Sequence, residues 1–178
     1  MADFGFSSGT GKKGPTKKWT QKEIDAKVAE FEARRKEAEE REGQTEVRDA
    51  IFDKAQFLKN EAQDFPLAEK IFREAYEKTG GASRKMEILF EILLMNLEKY
   101  DMENIKKDIA TCKELVDQGG DWDKKNKLKI FEGVYCMLTR DFKKAAELFL
   151  SNVATFTCVE LMDYNDFIFY TIIMAMVT

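Results

Sequence analysis

From Thr45 to Val177 the apolar residues recur at the 3.6-residue period of an α-helix, in segments of roughly 12–17 residues set off by Gly, Asp or Pro. Beyond Pro66 there is no further proline, and the only other one is Pro15, so nothing in the backbone chemistry interrupts helix formation there. Val47, Ile51, Ala55 and Leu58 line one helical face. After the break at Asp64-Phe65-Pro66, a second face carries Ala68, Ile71, Phe72, Ala75 and Tyr76, and Gly80-Gly81 closes it. Lys85 to Lys99 has two apolar faces, one with Met86, Leu89, Phe90, Leu93, Leu94 and Leu97, the other with Ile88, Ile92 and Met95. Such a helix is expected to be covered on two sides. A fourth helix carries Ile105, Ile109, Cys112 and Val116 and stops at Gly119-Gly120; others are predicted at 123–138, 142–153 and 164–177. Only VATFTCV, at 153–159, has any strand character. The chain therefore reads as all-α.

Recurring helix pairs call for a repeat. In the tetratricopeptide pattern a small residue in the first helix meets the second at a close crossing, and Ala-x3-Phe follows in the second. Gly133, followed by Ala145 and Phe149, fits that arrangement, and Ala68, Phe72 and Ala75 repeat its second half. Ile105 and Ile109 hold the same places between them, which gives spacings of 37 and 40 residues. The ideal unit has about 34. Glu132 stands where the pattern wants Leu, Tyr135 comes one residue early and the closing Pro is missing. The prediction is a degenerate, right-handed tetratricopeptide-like helical-repeat solenoid over residues 43–178.

Two segments precede it. Residues 1–19 are rich in Gly, Ser and Lys and read as a disordered tail. Residues 20–42 read as a charged, solvated spacer helix. Its start is a capping box at Thr20-Gln21-Lys22-Glu23, and Ile24, Val28 and Phe31 give it a short apolar stripe. Glu30/Arg34, Glu32/Lys36 and Glu37/Arg41 are candidate i,i+4 pairs, so this helix is expected to dock only at its beginning.

Histidine is absent, which removes Ser-His and Cys-His nucleophile pairs and His-ligated metal sites. Cys112, Cys136 and Cys158 have neither metal-ligand nor disulfide spacing and read as core thiols in a reducing, cytosolic or nuclear setting. A formal net charge of −4 creates no global field to recruit nucleic acid or an anionic membrane. The final apolar run is too short to span a bilayer, which takes roughly 20 residues. No catalytic constellation, cofactor, metal, small-molecule substrate or membrane contact is expected.

A second charged stretch, GGDWDKKNKLKIFEGVYCMLTRDFKKAAELFL, begins at Gly119. Its start reads as a helix joint: Gly119 and Gly120 end one helix, Asp121 caps the next, and Trp122 packs across the junction. Lys124, Lys125 and Lys127 form a possible partner-contact face, suited to an acidic neighbour or, in a different class of function, to a phosphate backbone. Without adjacent aromatic faces, nucleic acid is the weaker reading.

That stretch, with TFTCVELMDYNDFIFYT after it and GQTEVRDA at 43–50, resembles the proteasome lid subunit family called non-ATPase regulatory subunit 6. The resemblance covers about residues 43–178. It implies a non-catalytic helical-repeat arm followed by a winged-helix (PCI) module, with the other lid subunits and the regulatory-particle base as partners, in cytoplasm and nucleus. The nearest alternative is the paralogous signalosome scaffold subunit; the Gly-Gly-Asp-Trp joint and Thr155-Phe156-Thr157 favour the proteasome. A third reading is a generic helical-repeat adaptor with a basic RNA-contacting face. The sequence stops at Thr178, inside the next repeat by this resemblance and short of the winged-helix module. Phe167, Ile168, Ile172 and Ile173 are therefore expected to form a bare face, prone to self-association or fraying.

Overall fold

The computed structural model describes residues 18–41, 43–119 and 121–178. The expected tail lies outside the described residues up to position 17, as does Gly120. Among these residues eight α-helices succeed one another in chain order: α1 (Gln21–Glu40), α2 (Gln44–Phe57), α3 (Phe65–Glu77), α4 (Ala82–Glu98), α5 (Met102–Asp117), α6 (Trp122–Leu138), α7 (Phe142–Leu150) and α8 (Tyr164–Val177). A π-helical turn, Leu58–Ala62, extends α2, and a 3-10 turn, Val153–Thr155, comes after α7. There is no strand among the described residues; the 153–159 candidate is that 3-10 turn and a loop. The protein is an all-α helical-repeat chain of two compact units, one up to Met95 and one from Asn96, with the division inside α4.

One turn recurs three times and sets the repeat. Gln63, Tyr100 and Arg140 all adopt left-handed backbone conformations, and each is followed by an aspartate. Asp64, Asp101 and Asp141 accept hydrogen bonds from the backbone N–H groups of Leu67, Asn104 and Lys144, capping α3, α5 and α7. The N–H groups of Asp101 and Asp141 reach back five residues to the carbonyls of Asn96 and Cys136, closing the preceding helix as a Schellman motif does. The N–H of Asp64 reaches back six, to Leu58, because the π-helical turn inserts one residue. Each turn thus joins one helix to the next through a left-handed residue and an Asp cap.

In the first unit, α2 packs on α1 and α3. Ile51, Ala55, Leu58, Ala68, Phe72 and Ala75 are fully buried, and Phe52 meets Phe72 edge-on at 5.6 Å. In α4, Met86, Leu89, Phe90 and Leu93 on one face and Ile88, Ile92 and Met95 on the other are all buried, as its two apolar faces require. α1 opens with the capping box expected at Thr20 and Glu23. However, α1 docks along its length, whereas the sequence predicts contact only at its start. Arg34 pairs with Asp53 at 2.7 Å, Glu32 with Lys54, and Arg35 with Glu74 at 2.9 Å; Lys78 approaches Glu39 at 3.6 Å. Of the three expected intrahelical pairs only Glu37–Arg41 forms, since α2 offers both Arg34 and Glu32 partners across the packing interface. Trp19, placed by sequence in the tail, is half-buried. Its ring stands edge-on to Phe57 at 5.0 Å, and its Nε1–H donates to Glu61 at 2.9 Å.

Because ion pairs carry so much of this docking, α1 should loosen with salt. At about 1 M NaCl the screening length falls to about 3 Å, and pairs this exposed contribute at most about 1 kcal/mol each. Hydrogen exchange in residues 21–40 is expected to quicken about 5–10-fold while α3 is unchanged. Equal salt response in both helices would refute this.

In the second unit, α6 packs between α5 and α7, and α8 packs on α7. The bare face expected on the last helix is placed differently from the sequence reading. Phe167 is fully buried, stacked on Phe156 at 4.6 Å and edge-on to Phe149 at 5.4 Å. Ile168 and Ile173 are half-buried, while Phe169, Ile172 and Met176 are exposed. The reason is rotational: Phe167, Thr171 and Met174 share the face turned to α7, and Phe169 lies well round the helix from them.

Candidate functional site

The recurring turn puts every repeat residue in register. Eight residues after Asp64, Asp101 and Asp141 stand Phe72, Ile109 and Phe149. Eight before Asp101 and Asp141 stand Leu93 and Gly133, and nine before Asp64, counting the π insertion, stands Ala55. A bulky residue in the second helix is therefore in register with a small one in the first in the hairpins of Ala55 and Gly133, and at Gly133 the two meet. A Cβ on Gly133 would lie 2.4 Å from Cε1 and 2.7 Å from Cδ1 of Phe149. That ring is fully buried against Phe167, so it cannot swing aside cheaply. Ala68, Ala75 and Ala145 are likewise fully buried.

Glu132, which looked like a fault in the repeat, joins three helices. Its carboxylate on α6 accepts from Lys113 of α5 at 2.8 Å and from Lys144 of α7 at 2.6 Å. Burial works to raise its pKa, but the hydrogen bonds and positive charges of the two lysines together outweigh burial and hold the carboxyl below its ordinary range. The sequence offered one sign of this: an acid at a core position, with lysines on both neighbouring helices.

The joint departs from the sequence reading. Gly119 lies just past α5 with a φ of 120°. Asp121 occupies the N-cap position of α6, but its side chain makes no capping hydrogen bond to the first turn. Trp122 is 62% exposed and does not pack across the junction. α6 has 17 residues and α7 only nine, so the first turns of α6 run past the end of α7. The lysines do not form one uniform face either. Lys127 is ion-paired to Glu160 in the loop before α8, Lys124 is half-buried and Lys125 is exposed. Their positions spread over about 160° of the helix circumference.

The thiols are held in their unreactive form. Burial, with Asp108 adding to it, pushes Cys112 up to about 12; burial also raises Cys136, and raises Cys158 further. Among the described residues no cluster of three or more Cys, Asp or Glu side chains could hold a metal ion. No described helix is long and apolar enough to cross a membrane. What the fold assembles is packing: close helix crossings, Asp caps and ion-paired seams.

Comparison with known proteins gives this architecture a family. The family model described as 26S proteasome subunit RPN7 matches residues 16–178. The 26S proteasome non-ATPase regulatory subunit 6 homolog of Arabidopsis thaliana is 39% identical over 158 residues, which is 88% of this chain and 38% of that relative. The 26S proteasome non-ATPase regulatory subunit 6 of Caenorhabditis elegans is 40% identical over 153 residues, 86% of this chain and 36% of its own length. At greater distance, the 26S proteasome regulatory subunit RPN7 of Saccharomyces cerevisiae is 26% identical over 157 residues, 88% of this chain and 35% of its own length. The chain thus spans well under half the length of these relatives.

Proposed function

Since the chain belongs to the 26S proteasome subunit RPN7 family, we propose that it is a non-catalytic structural element of the proteasome regulatory-particle lid. It would hold neighbouring lid subunits, and through them the base, in place for ubiquitin-dependent degradation. The observation that carries this reading is the family match across residues 16–178, over helices whose conspicuous side chains are spent on packing one another. A scaffold needs rigid, shape-specified helical surface, and close-packed crossings of the Gly133–Phe149 kind supply rigidity. Partners would be other proteasome subunits, met in cytoplasm and nucleus.

The basic RNA-contacting alternative loses support from the pairing of Lys127 with Glu160. The test is affinity capture of the tagged, folded chain from cell extract, with quantitative mass spectrometry. Recovery of lid subunits well above a Gly133→Val control, and in excess of signalosome subunits, is the expected result. Preferential recovery of signalosome subunits, or salt-sensitive RNA alone, would overturn the lid reading.

A further inference from the structure

Trp122, Lys125 and Lys129 stand at i, i+3 and i+7 on α6, and at about 100° per residue they fall within roughly 60° of one another. All three are exposed, and none has a hydrogen-bond, ionic or ring partner among the described residues. The stripe is bare because α7 is short. Phe149, the last residue but one of α7, lies against Gly133, so the first eight residues of α6, about 12 Å, run on past its end. The stripe also faces away from α8 and the end of the sequence. Lys127, which pairs with Glu160 just before α8, lies about 140–160° round α6 from each of the three.

We propose that a short acidic helix of a partner protein docks on this stripe, alongside the part of α6 that α7 leaves uncovered. It sets an apolar side chain on the Trp122 ring and two carboxylates, one turn apart, on Lys125 and Lys129. Charge chooses that occupant. The lysines nearby are matched with acids, Lys113 and Lys144 with Glu132 and Lys127 with Glu160, whereas Lys125 and Lys129 are left for an acid that comes from outside. Spacing makes it a helix: the two lysines are four residues, about 6 Å, apart along α6, the separation at which a second helix presents acids at i and i+4. Trp122 supplies the anchor, a large ring with a free indole N–H, of the type that dominates binding energy when a partner buries it. Residues 1–17 of the chain itself carry Lys12, Lys13 and Lys17 against Asp3 alone, the wrong sign for this place. A phosphate backbone fits less well than two discrete carboxylates, because Asp121 and Asp123 flank the tryptophan and repel a continuing run of negative charge. This inference goes beyond the lid reading and stands without it.

The test pans the purified 178-residue chain against a displayed library of helix-favouring peptides about 16 residues long. Enriched peptides should carry two acids three or four positions apart with an aromatic or aliphatic residue one turn away, and should bind with a Kd of about 10–100 µM. Placement is read from tryptophan emission in a Trp19→Phe background, where Trp122 is the remaining indole and should shift to the blue on titration. Lys125→Glu with Lys129→Glu should weaken the selected peptide at least about 10-fold and, when panned itself, should enrich lysine- or arginine-bearing peptides instead. Trp122→Ala should weaken it at least about 5-fold. Helical circular dichroism should not change, since all three residues are exposed and unpartnered. Lys106→Glu, at an exposed lysine of α5, is the control and should leave binding as it was. No enrichment, enriched peptides without acids, equal loss in the Lys106→Glu control, or tighter binding of a single-stranded oligouridylate than of the selected peptide would each overturn the proposal.

Discussion

Gly133→Val is expected to destabilise the protein by about 3 kcal/mol. A Cβ at that position would sit 2.4 Å from the Phe149 ring, deep inside any allowed carbon–carbon contact. Relief would require the ring to move, but Phe149 is fully buried and braced by Phe167. Gly133→Ala should cost less. Alanine recovers about 1 kcal/mol of helix propensity against an overpacking penalty of about 1–3 kcal/mol. The informative comparison is a double-mutant cycle in urea. Phe149→Leu alone loses packed volume and should cost about 1–2 kcal/mol, but combined with Gly133→Ala it should cost less than the sum of the two singles. Gly80→Ala is the control, since nothing lies within 4 Å of a Cβ there. Strict additivity at Gly133 and Phe149 would mean that the close crossing does not constrain the fold.

That crossing was legible because it combines three letters, Gly133, Ala145 and Phe149, at a spacing with a steric meaning. Helix periodicity was legible for the same kind of reason: burial has a period, and these segments keep it over several turns. The turns were harder to see. Asp64, Asp101 and Asp141 share no preceding residue, because the left-handed positions before them hold Gln, Tyr and Arg rather than the expected Gly. Only the spacing of 37 and 40 residues betrays them, and the π insertion after Phe57 blurs even that. At the joint the converse happened. Asp121-Trp122 has the composition of a capped, packed helix start, but how far α7 reaches along α6 decides whether anything covers the tryptophan. α1 departs from its sequence pattern for a third reason. Its charges suggest solvation when read along one helix, and their partners, Asp53, Lys54 and Glu74, lie on two others. Intrahelical spacing predicts a pair only when no better-placed partner exists across a packing interface.

Glu132 has such partners on both sides. Glu132→Lys should cost about 3 kcal/mol at pH 7, because it puts a third ammonium beside Lys113 and Lys144 at a buried position. Glu132→Leu restores the side chain the repeat pattern wants and leaves two lysines that are about half exposed. It should therefore fall within about 1 kcal/mol of the native chain. The stabilities of the leucine variant and the native chain should also diverge with pH, and the direction is fixed. The folded-state pKa of Glu132 is lowered, since the hydrogen bonds and charges of the two lysines together outweigh the burial that would raise it. Over the pH range between the two pKa values the unfolded chain binds more protons at this residue, so the carboxylate's contribution is complete above the unfolded value of about 4.3 and is lost as pH falls through the folded one. Urea unfolding at pH 7, 5, 4 and 3 should show the native chain losing stability relative to Glu132→Leu only below about pH 4.5, with no difference in slope between pH 5 and 7. Parallel profiles from pH 7 to 3 would show that the three-helix bridge contributes nothing, and that Glu132 is tolerated in the core rather than used there.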